Sequence, residues 1–136
     1  WGLSYRKSFS DFILEGLRNK TDLQLFSDVF YSPIYIGELV RLIHLALEKK
    51  CVGIYNFVGT ENISKYDFGM ALAEAFDLSN KNISSSYIGE KKDLVPRPKN
   101  MALSNEKLLK RLNQPILTLK EQLMFLKEDE NQKAVV

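Results

Sequence analysis

The sequence predicts an α/β protein that is rich in helix and contains a few short strands. Two observations support this class. Apolar residues recur at helical spacing in several separate stretches, and short apolar or alternating runs lie between those stretches. The 136 residues suffice for one compact domain, and an apolar content of 45% with charges of both signs is typical of a globular chain.

The first predicted helix begins after Ser8. This serine is a favourable N-cap, Asp11 follows it at the spacing of a capping box, and apolar residues then recur at helical spacing up to Asn19. The alternating run 23–26 predicts a short strand. An aromatic-rich loop over 27–33 follows that strand.

The middle of the chain predicts a helix, a strand and a second helix. Apolar residues at helical spacing over 36–50 predict an amphipathic helix. The run 53–58 is almost continuously apolar and predicts a strand buried on both faces, as in a parallel sheet covered by helices. Ser64 and Asp67 then repeat the capping pattern at the start of a third helix.

The last part of the chain predicts a polar edge strand over 83–88 and an extended loop over 91–100, whose prolines exclude a central strand. Ser104 predicts the cap of a fourth helix, and Thr118 followed by Glu121 predicts the capped start of a fifth.

The predicted domain covers residues 1–127. The mostly polar and charged residues 128–136 predict a frayed tail. Trp1 followed by Gly2 reads as the exit of a strand, so we expect the chain to begin where an upstream segment ends.

Composition argues against several classes of function. The net charge of +2 comes from scattered residues of both signs, so a nucleic-acid partner is not expected. A single cysteine, Cys51, and a single histidine, His44, indicate a cytoplasmic protein without a disulfide framework or a metal site. The apolar stretches fall short of the roughly 20 residues that cross a bilayer, so no membrane segment is expected.

Catalytic and cofactor motifs are not found in the sequence. The seven glycines are isolated and form no glycine-rich phosphate-binding turn, so the chain alone is not expected to hold a dinucleotide. Tyr87 and Lys91 have Tyr-xxx-Lys spacing, but Gly89 between them and the proline loop after them argue against a shared helical face. We interpret this match as chance and predict no catalytic residue.

The order of segments resembles a known family. The shared features are Trp1-Gly2, the Asp28 to Pro33 loop, Gly53-Ile54-Tyr55-Asn56, Ser64-x-Tyr66-x-Phe68 and Arg97-Pro98. Together they resemble the C-terminal, substrate-binding part of Rossmann-like extended short-chain dehydrogenases. The similarity is greatest to the dTDP-4-dehydrorhamnose reductases, beside the NAD-dependent sugar-nucleotide epimerases, and it runs over residues 1–126.

The resemblance implies that a missing N-terminal Rossmann half supplies the cofactor fold and the Tyr-xxx-Lys pair. NAD or NADP would then bind the parent protein, and the substrate would be a nucleotide-diphosphate sugar. Segment 53–58 would be a late Rossmann strand separated from its neighbours. An unpaired strand of this kind predicts self-association, with a homodimer as the simplest form.

The resemblance also selects the candidate substrate-binding residues. Arg97 ranks first because a guanidinium presents a planar fork of donors to a diphosphate. Its neighbours add donors, and the aromatic loop leads into the active-site cleft of the family. The full predicted set is Arg97, Asn100, Lys99, Asp28, Tyr31, Ser32 and Trp1.

Departures from the reductase pattern leave the identity of the substrate and the type of reaction undetermined. Val29, Tyr31 and Ile34 replace residues of the Asp-Gln-x-Gly-x-Pro-Thr motif, and Met101 stands where a serine is usual. Three alternatives to a reductase therefore stay open. They are a non-catalytic regulatory or binding subunit of the same superfamily, a sugar-nucleotide epimerase or dehydratase, and a stand-alone interaction domain.

Overall fold

The computed structural model describes residues 7–91 and 95–133, which form five α-helices around two small sheets. The helices are α1 (Phe9–Asn19), α2 (Ile36–Glu48), α3 (Lys65–Ala75), α4 (Glu106–Leu112) and α5 (Leu119–Lys133). The strands are β1 (Leu23–Phe26), β2 (Phe30–Tyr31), β3 (Ile63–Ser64) and β4 (Ile83–Ser86), and β4 is followed by a 3₁₀ turn over Ile88–Glu90. The α/β class predicted from the sequence is confirmed.

Local capping explains where several helices begin. Ser8 Oγ accepts from the Asp11 amide at 3.3 Å, and the Asp11 carboxylate accepts from the Ser8 amide at 2.7 Å. The Thr118 and Glu121 pair forms the same reciprocal box at the start of α5. These caps confirm two predicted helix starts.

Two other helix starts differ in detail from the expected pattern. At α3, Ser64 Oγ accepts from the Asp67 amide at 3.0 Å, and its hydroxyl also donates to the Asp67 carboxylate at 2.6 Å. Helix α4 begins at Glu106 rather than directly after Ser104, whose Oγ accepts from the Glu106 amide at 3.3 Å.

The two sheets join distant parts of the chain. Strands β1 and β4 are parallel, with Leu23 opposite Ile83. Strands β2 and β3 are antiparallel, with Phe30 opposite Ser64. The β4 pairing confirms the short polar strand that the sequence predicts there.

The main core is a layer of helices α1, α3 and α5 packed around β1. Its most deeply buried side chains include Ile13, Leu14, Phe68, Leu72, Leu123 and Leu126. Helix α3 lies at the centre, since it contacts α1, α5 and both parallel strands. This layer also positions the aromatic loop that follows β1.

A smaller core packs α2 against α4. Its buried members are Leu42, Ala46, Leu108, Leu112 and Ile116. Gln122 of α5 connects this core to the main layer, because its side chain accepts from the Tyr35 amide and donates to the Leu117 carbonyl, both at 2.7 Å. Such paired hydrogen bonds make a buried amide side chain favourable.

The predicted strand over 53–58 is wrong for this chain. The segment forms no ladder with any described residue, and Ile54 is 86% exposed. Two of its carbonyls instead accept from side chains: Lys107 Nζ donates to the Ile54 carbonyl at 2.8 Å, and the Asn105 side chain donates to the Val58 carbonyl at 3.2 Å. The physical reason is that a strand needs a neighbouring strand, and the described part of the chain offers none at this place.

The predicted tail is also wrong where the structure describes it. Helix α5 continues to Lys133, so residues 128–133 are helical. Arg18 of α1 forms an ion pair with Glu130, and Lys127 Nζ lies 2.6 Å from Asp77. These tertiary contacts hold a segment whose polar composition suggested fraying. Residues 134–136 lie outside the described part.

No described helix is long and apolar enough to span a membrane.

Candidate functional site

Three backbone segments meet at Phe30 and form the framework of the site. The Phe30 amide donates to the Lys99 carbonyl at 2.7 Å, and the Met101 amide donates to the Phe30 carbonyl at 2.9 Å. On its other side Phe30 pairs with Ser64 of β3. The proline loop before residue 100 is therefore attached to the aromatic loop, as the candidate site requires.

Asp28 ties the two loops together. One of its carboxylate oxygens accepts from the Ile88 amide at 2.9 Å, and the other lies 2.8 Å from Lys99 Nζ. The hydrogen bond from Lys99, followed by the one from Ile88, holds the pKa of Asp28 below its usual value. Asp28 and Lys99 both belong to the predicted set, and the structure pairs them so that their charges neutralise each other.

Tyr31 is mainly a packing residue. Its ring meets Phe68 edge-on with centroids 5.8 Å apart and meets Phe9 at 6.4 Å. The hydroxyl oxygen is buried and has no hydrogen-bond partner among the described residues. Burial raises the pKa of Tyr31, so its hydroxyl is a neutral donor rather than an acid.

Ser32 and Asn100 stabilise the loop backbone. Ser32 Oγ accepts from the Leu103 amide at 3.3 Å. The Asn100 side chain accepts from the Ala102 amide at 3.0 Å. Both polar groups therefore shape the turn that follows the proline loop, and Asn100 keeps its amide donors for other partners.

Arg97 is exposed and lines a concave surface that encloses a volume of about 280 Å³. The other lining residues are Ile88, Gly89, Lys91, Val95 and Pro96. No carboxylate among the described residues forms an ion pair with Arg97. A guanidinium in such an exposed position is suited to bind an anionic ligand.

Lys65 is a residue of this site that the sequence reasoning missed. It is the first residue of α3, and its Nζ lies 5.2 Å from the centroid of the Phe9 ring. Burial, and then the positive charge of Arg97, lower the pKa of Lys65. The sequence carries a signal for the helix start at Ser64 but none for the pairing that brings this start beside the proline loop.

The structure also locates the other residues singled out in the sequence. Tyr87 precedes the 3₁₀ turn. Lys91 lines the same concave surface as Arg97, and its Nζ donates to the Gln24 side chain at 2.7 Å. His44 is exposed on α2. Trp1 lies outside the described residues, and residues 7–91 and 95–133 contain no cluster suited to a metal ion.

Comparison with known proteins identifies relatives of this chain. A family model described as the RmlD substrate binding domain matches residues 2–130. A search of curated protein sequences gave no match.

Solved structures share the fold. The dTDP-4-dehydrorhamnose reductase of Bacillus anthracis, in complex with NADP, has a TM-score of 0.77 at 19% identity, over 93% of this chain and 44% of that one. A dTDP-4-dehydrorhamnose reductase from Clostridium acetobutylicum has a TM-score of 0.81 at 18% identity, over 96% of this chain and 46% of that one.

A UDP-glucuronic acid 4-epimerase from Bacillus cereus, in complex with NAD, has a TM-score of 0.67 at 20% identity, over 94% of this chain and 40% of that one. The chain thus spans less than half the length of each of these three proteins. At such low identity the likeness shows a shared fold and nothing about the reaction.

Proposed function

The chain belongs to the RmlD substrate-binding domain family, and on this premise we propose that it binds the nucleotide sugar for an NAD(P)-dependent reductase of dTDP-linked sugars. The observation that carries the proposal is the anchored proline loop. Its backbone is hydrogen-bonded to Phe30, and it presents Arg97 on a concave surface without an ion-pair partner among the described residues. A guanidinium held in this way suits a diphosphate.

Four of the remaining predicted residues, Asp28, Ser32, Lys99 and Asn100, belong to the loop or contact it. The Asp28 and Lys99 ion pair and the Ser32 hydroxyl fix the loop, while Asn100 and Lys99 supply donors beside Arg97. We therefore assign Asp28 and Ser32 a positioning role. Contact with the substrate falls to Arg97, with Asn100 and Lys99 as neighbouring donors.

The described residues do not fit a dinucleotide cofactor. Such a cofactor needs a glycine-rich turn between a parallel strand and a helix, so that the backbone can approach the pyrophosphate. Here β1 leads into the loop before β2, and β4 leads into a 3₁₀ turn. We propose that NAD or NADP, and the catalytic residues, belong to a part of the protein outside this chain, so that the chain alone is not catalytic.

Exposed apolar residues support the proposal that a further part of the protein packs against this chain. Val52 is 87% exposed and Ile54 is 86% exposed, next to the exposed side of α2. An extended segment directly after a helix is the arrangement by which an α/β unit joins a parallel sheet. We propose that segment 53–58 pairs with a sheet outside this chain.

Ligand titration tests the proposed function. The chain is titrated with dTDP-glucose and with UDP-glucose, and amide shifts are followed by NMR. We expect millimolar or tighter binding with shifts at residues 97–101, and we expect Arg97→Met to weaken binding about tenfold or more through loss of a charged donor pair. Lys110→Met is the control, since it removes one charge from an exposed position on α4.

Two outcomes would contradict the proposal. Absence of shifts near Arg97 at millimolar ligand argues against the site, and equal losses in the Arg97 and Lys110 variants argue for charge alone. Turnover by this chain with NADPH would contradict the non-catalytic assignment.

A second candidate is a non-catalytic binding subunit, or an epimerase or dehydratase, of the same superfamily. The sequence observation that favours it is the departure from the reductase motif at Val29, Tyr31 and Met101. Tighter binding of UDP-glucose than of dTDP-glucose in the same titration would favour an epimerase that acts on UDP-linked sugars.

A further inference from the structure

We propose that Lys65 is a specificity-determining residue, which together with Arg97 selects a ligand group carrying at least two negative charges. The inference rests on the proposed function, because it names the part of the nucleotide sugar, its diphosphate, that this end of the site recognises. Lys65 is not among the residues that the sequence pattern selects.

Strand pairing places both cations at one end of the small sheet. Segment 99–101 runs parallel to β2, with Asn100 beside Phe30, and β3 runs antiparallel to β2, with Ser64 beside Phe30. Residues just before Asn100 and just after Ser64 therefore lie at the same end. The Lys65 amide confirms this arrangement, since it donates to the Val29 carbonyl at 3.1 Å.

Among the described residues, two cations at this end lack a carboxylate partner. Asp28 is neutralised by Lys99 at 2.8 Å. Lys65 and Arg97 form no ion pair with any carboxylate in residues 7–91 and 95–133. Two neighbouring cations repel each other, and a dianionic group between them removes the repulsion while a singly charged group removes it only in part.

Aromatic packing fixes the position of Lys65. Its Nζ lies 5.2 Å from the centroid of Phe9, and that ring is stacked on Phe68 with centroids 6.1 Å apart. Tyr31 meets the same Phe9 ring and has a buried hydroxyl without a partner among the described residues. A lysine held over an aromatic ring loses little conformational entropy on binding, which favours its use as a fixed charge.

Titration of the whole chain with inorganic pyrophosphate and with inorganic phosphate tests the inference, by calorimetry at low salt and about pH 5, where inorganic phosphate is mainly singly charged. We expect Lys65→Met to weaken pyrophosphate binding about tenfold and phosphate binding only about threefold, so that the preference for pyrophosphate falls. Lys65→Arg keeps the charge and should restore most of the preference, whereas a purely structural role of the lysine would not produce this rescue. Lys110→Met is the matched control, with thermal unfolding of each variant measured in parallel.

The result that overturns the inference is an unchanged ratio of the two affinities in the Lys65→Met protein, or no pyrophosphate binding by the unchanged chain at millimolar concentration. Titration with dTDP-glucose separates this failure from that of the proposed function. If Arg97→Met abolishes nucleotide-sugar binding and Lys65→Met leaves it intact, the inference fails and the proposed function stands. If pyrophosphate binds as expected and neither nucleotide sugar binds, the anion site stands and the proposed function fails.

Discussion

The main core and the region around α2 differ in how far their apolar side chains are exposed to solvent. In the main core, Leu72 and Leu123 are almost fully buried between α1, α3 and α5. In the α2 region, Leu47 is 71% exposed and Val40 is 55% exposed, although Leu42 on the opposite side of the same helix is fully buried. The leucines of the main core are thus removed from water, whereas α2 buries some of its apolar residues and exposes others.

This difference indicates which region packs against a further part of the protein. A helix that is apolar on two sides is typical of a buried position between two layers. Helix α2 has α4 on one side, and in the adjacent segment 53–58 the Ile54 side chain is exposed. The comparison supports the proposal that the α2 side joins a further sheet, while the main core holds the substrate loops.

The largest expected effect comes from a matched pair of leucines. Leu72→Ala empties a fully buried position in α3 and should lower the free energy of unfolding by about 2–5 kcal/mol. Leu47→Ala changes an exposed leucine in α2 and should alter it by less than about 0.5 kcal/mol. Urea unfolding followed by circular dichroism measures both values. Similar losses in the two variants would remove the contrast between the regions.

An intermediate effect is expected on self-association. The exposed apolar side of α2 and the unpaired segment after it predict that copies of the chain associate at high concentration. Replacing Leu47 and Ile54 together by lysine should shift the sedimentation-velocity profile toward the monomer, with little change in stability. A strictly monomeric profile of the unchanged chain at high concentration would contradict this prediction.

The smallest effect concerns the pH dependence of the site. The pKa of Asp28 is held below its ordinary value of 3.8, chiefly by the hydrogen bond from Lys99. The pair therefore stabilises the fold fully above that value, and the contribution is lost as the pH falls through the lowered pKa. Lys99→Met should raise the Asp28 pKa toward 3.8 in an NMR titration of the carboxyl carbon. An unchanged pKa would show that the Ile88 amide alone sets it.

Prediction from the sequence succeeded where local physics decides. The Ser8 and Asp11 box and the Thr118 and Glu121 box depend on residues three positions apart, so both were predicted and both are confirmed. The strand over 53–58 failed because strand formation depends on a distant partner. The end of α5 was predicted too early because the Arg18 and Glu130 ion pair is a contact between different helices.

Some features of the candidate site also follow from the local sequence, and others follow from tertiary contacts. The sequence by itself determined the residue types, the helix starts and the stiff proline loop before Asn100, because these depend on side-chain chemistry and on neighbours along the chain. Only the tertiary structure decided that Asp28 neutralises Lys99, that the Tyr31 ring packs inward and that Lys65 lies at the Arg97 end of the site. Each of these follows from pairing of β2 with segments far away in sequence, and such pairing depends on how the whole chain buries its apolar surface.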